Sequence, residues 1–185
     1  MITIVICYAA GTKGILHTCL AALGRHDAGE DFKVKVYTDP DGLPEAAECC
    51  KAQQGTVEVV ACPPELSGSK KHGFMLDVAM TWENGPVLTL GSDCFPVADG
   101  WLTKMTCNGA HLPGISWPWE SPSPTMDKKS IEWRVRNIQN WRNTWVACQL
   151  VDMEFIRDHI LSYSTGDDTG VSIIEKANEL GLCVE

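Results

Sequence analysis

Ile2, Ile4, Val5 and Ile6 open the chain as a β-branched run that stops at Ala9-Ala10-Gly11, the pattern of a short buried strand ended by a turn. Ile15, Cys19, Ala22 and Leu23 then recur at helical spacing up to Gly24, which predicts a helix. Val34 and Val36 alternate with Lys33, Lys35 and Tyr37 before Thr38-Asp39-Pro40-Asp41-Gly42. The alternation predicts a second strand, and the Pro and Gly mark its end. A helix with Leu43, Ala46, Ala47 and Cys50 follows, then a third strand at Val57 to Ala61 closed by Pro63-Pro64. Met75, Val78, Ala79 and Trp82 share one stripe of the next helix, and Val87 to Leu90 reads as a fourth, buried strand. Strands that alternate with helices need crossover connections, so the expected fold is a mostly parallel, Rossmann-like α/β sheet flanked by helices. Beyond Gly100 come an aromatic, Pro-rich stretch from Trp117 to Pro124, a basic helix, a strand near Trp145 to Val151 and a last helix from Asp168 to Leu180. There is no internal repeat, and residues 1–185 are expected to form one domain.

Composition narrows the reading. With 185 residues, 44% of them apolar and 21% charged, the chain can bury a core of its own and is neither a disordered segment nor a coiled coil. Its 24 acidic against 15 basic side chains give a net charge of -9, which excludes a global attraction to polyanions and confines any nucleic-acid contact to a local patch. No run approaches the roughly 18 apolar residues of a membrane span, and the first strand begins at Ile2 without a charged leader, so a cytoplasmic protein is expected. The nine cysteines are scattered among apolar neighbours without a CxxC pair. Reduced, mostly buried thiols are expected rather than a zinc ribbon or disulfide scaffold.

Ligands of such sheets bind at the carboxyl ends of the strands, so the loops after Tyr8, Thr38, Ala61 and Leu90 are the places to look for chemistry. GxGxxG, the Walker pattern, HExxH and GxSxG are all absent. The fourth strand ends in Gly91-Ser92-Asp93-Cys94; Asp93 is a candidate ligand for a hard cation and its bound phosphates, or a turn-forming residue. Asp39 closes the second strand in the same way, as an Asp-Pro turn or as an acceptor for an imide N–H or ribose hydroxyl. Lys70, Lys71 and His72 precede an amphipathic helix, where cations and free N–H donors would meet a diphosphate, or where a lysine pair is simply solvated. Asp167 and Asp168 stand at the start of the last helix, as caps or as a general base toward an acceptor hydroxyl.

In this order, these features resemble the nucleotide-sugar-dependent glycosyltransferases of the GT-A fold, family 2 in particular. The resemblance runs through Ile2 to Tyr8, the Asp39 turn, His72-Gly73-Phe74-Met75-Leu76-Asp77, Gly91-Ser92-Asp93-Cys94-Phe95-Pro96 and Asp168-Thr169-Gly170. It implies an inverting transferase that moves a sugar from a nucleoside-diphosphate sugar, a UDP-sugar in the first instance, to an acceptor hydroxyl. It maps the nucleoside onto Tyr8, Ala9 and Asp39, the diphosphate with a divalent cation (manganese or magnesium) onto Asp93, and the general base onto Asp168 with Asp167 beside it; Ala10, Lys70, Lys71, His72, Asp77 and Ser92 complete the expected donor site. Residues 1–98 would bind the donor and residues 99–185 the acceptor and the base. Gly91 takes the place of the first acid of the family's Asp-x-Asp motif, and little chain follows Asp168, so a minimal form is expected. A noncatalytic nucleotide-sugar-binding module and a nucleotidyltransferase of related fold are the alternatives.

Residues 127–142 carry five basic side chains, Lys128, Lys129, Arg134, Arg136 and Arg142, against Asp127 and Glu132. Trp133 and Trp141 are interleaved with them, and Trp117, Trp119 and Glu120 come just before. Ring faces beside cations suit sugar or base stacking with phosphate contacts, although Ile131, Val135 and Ile138 equally read as the core stripe of a helix. Trp117, Trp119, Glu120, Arg134, Arg136 and Trp141 are the candidate acceptor contacts, with a saccharide, a small molecule or a hydroxymethylated DNA base as acceptor.

Overall fold

The computed structural model describes residues 1–53, 55–106, 114–116 and 144–164 and, singly, residues 173, 176 and 179. Its elements in chain order are β1 (Ile2–Tyr8), α1 (Lys13–Arg25), β2 (Phe32–Thr38), α2 (Leu43–Gln53), β3 (Thr56–Val59), α3 (Gly68–Trp82), β4 (Pro86–Leu90), α4 (Trp101–Thr106), β5 (Gly114–Ser116), β6 (Thr144–Asp152) and α5 (Met153–Asp158). The strands form one sheet in the order β3-β2-β1-β4-β6-β5. β1 pairs in parallel with β2 and β4, and β2 with β3, whereas β6 is antiparallel to both β4 and β5. The expected α/β architecture, a mostly parallel sheet between helices, is present.

Alternation along β1 divides the core in two. Ile4, Ile6 and Tyr8 point to the side covered by α1, α2 and α4, where Leu16, Leu20, Leu23, Cys49 and Leu102 pack on them. Val5 and Cys7 face the other side, covered by Met75, Leu76, Ala79 and Met80 of α3 and Ile156 of α5. The helices change sides because the chain changes direction. It moves outward from β1 to β3 under α1 and α2, then returns past β1 to β4 over α3, and right-handed crossovers require opposite faces for opposite directions. The strand order therefore reverses between β1 and β4, and a crevice opens outside their carboxyl ends.

Local details depart from the sequence pattern. The buried stripe of α1 is Leu16, Cys19, Leu20, Ala22 and Leu23, and Ile15 is exposed; two apolar phases overlap there and the sheet selects one. Trp82 is half exposed, with its ring against Tyr37 at 6.0 Å between centroids. Helix α3 contains Gly73, which costs about 1 kcal/mol relative to Ala in a helix interior. A close approach explains it: a Cβ there would lie 2.7 Å from the Tyr163 carbonyl oxygen and 2.9 Å from the Ser164 Cα. Cys7, Cys19, Cys49, Cys50, Cys62 and Cys94 are free thiols. Among the described residues no helix is long and apolar enough to cross a membrane. The aromatic stretch 117–124 and the basic helix 127–142 lie outside the described residues. Of the expected last helix, Ile173, Lys176 and Glu179 are described as helical, with Ile173 fully buried beside α3 and Tyr163.

Candidate functional site

The turn after β1 is held by a residue that the sequence did not single out. Glu45, in the first turn of α2, accepts hydrogen bonds from the Tyr8 hydroxyl and, at 2.9 Å, from the Gly11 N–H. These donors hold its carboxyl below the usual range, the Tyr8 hydroxyl contributing most. Burial, reinforced by Glu45, pushes the Tyr8 phenol up to about 12. Ala9 and Ala10 are exposed at the crest of this turn. The signal was local: an acid in the first turn of a helix, one turn after the Asp39-Pro40 bend.

Asp39 is 7% exposed at the tip of β2. Its Oδ1 accepts the Gly42 N–H at 2.9 Å, which closes the turn, and its Oδ2 takes the Lys71 ammonium. Lys71, foremost, holds this carboxyl below its ordinary value, and the Lys71 ammonium is raised in return. The sequence left a turn and a ligand role as alternatives for Asp39; the turn is there, and a cation from α3 has been added to it. Lys70 is exposed and His72 half-buried on the same first turns of α3.

Asp93 lies across the crevice. After β4 the Cys94 N–H closes a turn on the Gly91 carbonyl at 2.9 Å, and the Cys19 thiol holds the Cys94 carbonyl at 3.2 Å from α1. This leaves Ser92 half-buried and Asp93 exposed at the tip, with the Cys94 thiol 3.8 Å from its Oδ1. Burial first, and Asp93 second, push that thiol up to about 11. Among the described residues no three of His, Cys, Asp and Glu converge to hold a metal ion. A single strand-tip carboxylate suits magnesium or manganese only in the way such ions commonly bind, with the remaining ligands drawn from substrate phosphates and water.

Asp77 is bonded within the protein. Its carboxylate accepts from Ser162 Oγ at 2.7 Å, from Ser164 N at 3.1 Å, and from Tyr163 N and Ser164 Oγ. Asp167 and Asp168, and the candidate acceptor contacts Trp117, Trp119, Glu120, Arg134, Arg136 and Trp141, lie outside the described residues. The structure thus brings Tyr8, Asp39 and Lys71 together on one rim, carries Asp93 on the β4 tip beside the crevice, and turns Asp77 to the 162–164 turn.

No protein-family model matches the sequence, and no curated protein matches it. Solved structures do. The mannosyltransferase of Pyrobaculum calidifontis, in complex with GDP-mannose and Mn2+, superposes with a TM-score of 0.63 at 14% identity, over 99% of this chain and 53% of its own. The fold is GT-A-like. S. aureus TarS in complex with UDP gives a TM-score of 0.56 at 13% identity, over 99% of this chain and 56% of its own. The 4-diphosphocytidyl-2C-methyl-D-erythritol synthase of Anaerococcus prevotii gives 0.59 at 13%, over 100% of this chain and 87% of its own. This GT-A-like chain thus spans about half the length of the mannosyltransferase and TarS chains and most of the length of the synthase.

Proposed function

We propose that the protein is an inverting glycosyltransferase that uses a nucleoside-diphosphate sugar, UDP-hexose foremost, and that residues 1–98 bind the donor while residues 99–185 supply the acceptor contacts and the base. The observation that carries this reading is the Asp39–Lys71 pair on the rim of the strand-order reversal. A carboxylate has about four lone-pair sites and an ammonium three N–H donors, so the pair keeps capacity for a nucleoside donor and a phosphate oxygen. Structures that share this fold and hold GDP-mannose or UDP, and a synthase of a diphosphocytidyl product, support a nucleotide at this rim.

In the proposed reaction the acceptor hydroxyl oxygen attacks the anomeric carbon, Asp168 takes the hydroxyl proton, and the bond between that carbon and the diphosphate oxygen breaks with inversion. Lys71, with Lys70 and His72 beside it, offsets charge on the departing diphosphate. A divalent cation held by Asp93 and phosphate oxygens would supply further neutralisation when bound. Trp117, Trp119, Glu120, Arg134, Arg136 and Trp141 are proposed to meet the acceptor.

The test is a panel of UDP-, GDP- and CDP-hexoses offered with saccharides, small alcohols and hydroxymethylated DNA, read by mass spectrometry. A gain of one hexose with release of the nucleoside diphosphate is expected, with Asp168→Asn losing transfer but retaining donor binding and Asp93→Ala losing metal-stimulated turnover. Pyrophosphate released from a nucleoside triphosphate would establish the nucleotidyltransferase instead. Donor binding without turnover on any acceptor would establish a binding module.

A further inference from the structure

Helix α2 holds the segment between β1 and α1 from one face. Glu45, Glu48 and Cys49 are spaced three and four residues apart, so they project from the same side of the helix. Glu45 Oε2 accepts from the Tyr8 hydroxyl and, at 2.9 Å, from the Gly11 N–H. Glu48 takes the Lys13 ammonium at 2.6 Å, and the Cys49 thiol lies 3.7 Å from the Lys13 carbonyl oxygen. The Lys13–Glu48 pair is exposed on both sides and contributes little, and a thiol is a weak donor. Glu45 is therefore the principal hold on the turn. Tyr8 joins that turn to the Asp39 loop. Its ring is fully buried and its carbonyl accepts the Thr38 hydroxyl at 3.1 Å. Gly42 lies against it: a Cβ there would be 3.2 Å from Tyr8 Cδ1 and 3.4 Å from Asp39 Oδ1. Gly42 also donates its N–H to Asp39 Oδ1 at 2.9 Å and accepts the Ala46 N–H at 3.0 Å. Glu45, Tyr8 and the Asp39 loop thus form one bonded unit.

The place of this unit in the sheet gives it a consequence for ligands. β1 stands between β2 and β4. Adjacent strands are about 4.8 Å apart, so the tips of β2 and β4 are separated by about 10 Å, and a ligand that touches both Asp39 and Asp93 crosses the turn after β1. We propose that Glu45 is a positioning residue for the nucleoside-diphosphate donor, fixing this turn in register with the Asp39 loop so that its exposed crest, Ala9 and Ala10, is in place before the donor crosses it. The proposal rests on the glycosyltransferase reading above, and it makes Tyr8 a part of the brace rather than the side-chain contact to the nucleoside that the family resemblance implies. A loose turn has to be ordered as the donor binds, which weakens binding by the fraction of molecules already in the competent arrangement. A braced turn carries no such penalty.

The experiment uses the full chain and three variants, Glu45→Ala, Glu45→Gln and Tyr8→Phe. The probe is whichever of UDP, GDP and CDP the wild-type chain binds most tightly by calorimetry. Both bonds run to one oxygen of Glu45, so Gln can keep them without the charge, Ala keeps neither, and Phe at position 8 keeps the Gly11 bond and the buried ring. Glu45→Ala is expected to bind the nucleotide about tenfold more weakly, as a turn that is competent in about one molecule in ten implies, with faster hydrogen exchange in the peptide spanning residues 8–14. Tyr8→Phe is expected to lose about threefold, and Glu45→Gln to restore the affinity that Ala loses. In a transfer assay the loss in Glu45→Ala should appear as a higher donor KM, with kcat within about threefold of wild type. Unchanged affinity in Glu45→Ala overturns the proposal. Equal losses in Glu45→Gln and Glu45→Ala also overturn it, since Glu45 would then meet the ligand itself. If Glu45→Ala does not fold, Tyr8→Phe decides, and wild-type affinity there overturns the proposal. A wild-type chain that binds none of the three nucleotides refutes the nucleotide reading of the rim and the proposal with it, whereas a wild type that binds while the variants match it refutes the role of Glu45 alone.

Discussion

Glu83 ends α3 at the pole of the sheet away from the rim, and its side chain is 2% exposed. Its Oε1 takes the Lys35 ammonium at 2.6 Å and the Tyr37 hydroxyl at 2.7 Å, and its Oε2 takes Lys33 and the Thr3 hydroxyl, each at 3.4 Å. Replacing Glu83 by Ala leaves a part-buried ammonium and a buried phenol without their acceptor. Breaking a buried pair costs roughly 3–5 kcal/mol. Lys35 is 22% exposed and can turn to Glu58 at 3.5 Å, so the lower end applies and the expected loss is about 3 kcal/mol. For a chain of this length that is a fall of about 6–12 °C in Tm. Urea titration of wild type, Glu83→Ala, Lys35→Met and the double variant is the assay. Lys35→Met should cost about 1 kcal/mol less in the Glu83→Ala background than in wild type. UDP affinity should not change, because the cluster is remote from the rim. The pH dependence has a fixed sign. Burial pushes the Glu83 carboxyl up, but Lys35 and Tyr37 outweigh it and hold it below 4.5. The unfolded chain thus takes up the proton more readily, so this contribution is complete above pH 4.5 and is lost as pH falls through the depressed value. A loss below about 1 kcal/mol, the range of exposed pairs, or a cycle without coupling refutes the reasoning.

Gly73→Ala gains about 1 kcal/mol of helix propensity but drives a methyl into the Tyr163 and Ser164 backbone, so a net loss of about 1 kcal/mol in denaturant titration is expected. Gly14→Ala in α1, with nothing within 4 Å of its Cβ, should instead gain up to about 1 kcal/mol. Lys71→Met removes the main cause of the low Asp39 pKa. Because a carboxyl depressed in the folded state makes stability rise with pH through the window below its unfolded value, the variant should show a shallower rise between about pH 3 and pH 5. An unchanged slope would show that Lys71 does not set this titration.

What was legible in the sequence was short-range. Ile2 to Tyr8 and the Asp39 turn carry their own punctuation, and β1, β2 and the Asp39–Gly42 hydrogen bond follow from residues within a few positions of one another. The competing phases of Ile15 and Leu16 could not be separated, because both stripes are apolar and only packing on β1 chooses between them. The antiparallel return of β6 on β4 pairs Leu90 with Cys148, a distance in sequence that no local pattern encodes. The same holds for Asp77: a half-polar position in an amphipathic helix reads as solvent-facing or ligand-binding until residues 162–164 are seen against it. Glu45 was closer to hand, since an acid in a first helical turn one turn beyond a bend is within reach of the preceding strand's loop.

The carboxylates around α3 can be sorted by how many of their lone pairs the protein itself uses. Glu83 receives four donors and Asp77 receives four, and a saturated acid is held for architecture, whether it braces a sheet or a turn. Asp39 receives the Gly42 N–H and Lys71, with the Asp41 N–H also favouring its anion, and so keeps room for one more donor. Asp93 has the Cys94 thiol at 3.8 Å as its one hydrogen-bond partner among the described residues, and it stands exposed on a turn that the Cys94 N–H and the Cys19 thiol tie down. Unused acceptor capacity on a fixed backbone is what a ligand needs, because the protein then neither competes for the lone pairs nor has to reorganise to offer them. The two acids with capacity to spare belong to the loops after β2 and β4, at the carboxyl ends on either side of β1. The two without it brace the opposite pole and the turn at residues 162–164. That division favours the rim, and not the ion cluster around Glu83, as the place where the proposed diphosphate donor would be held.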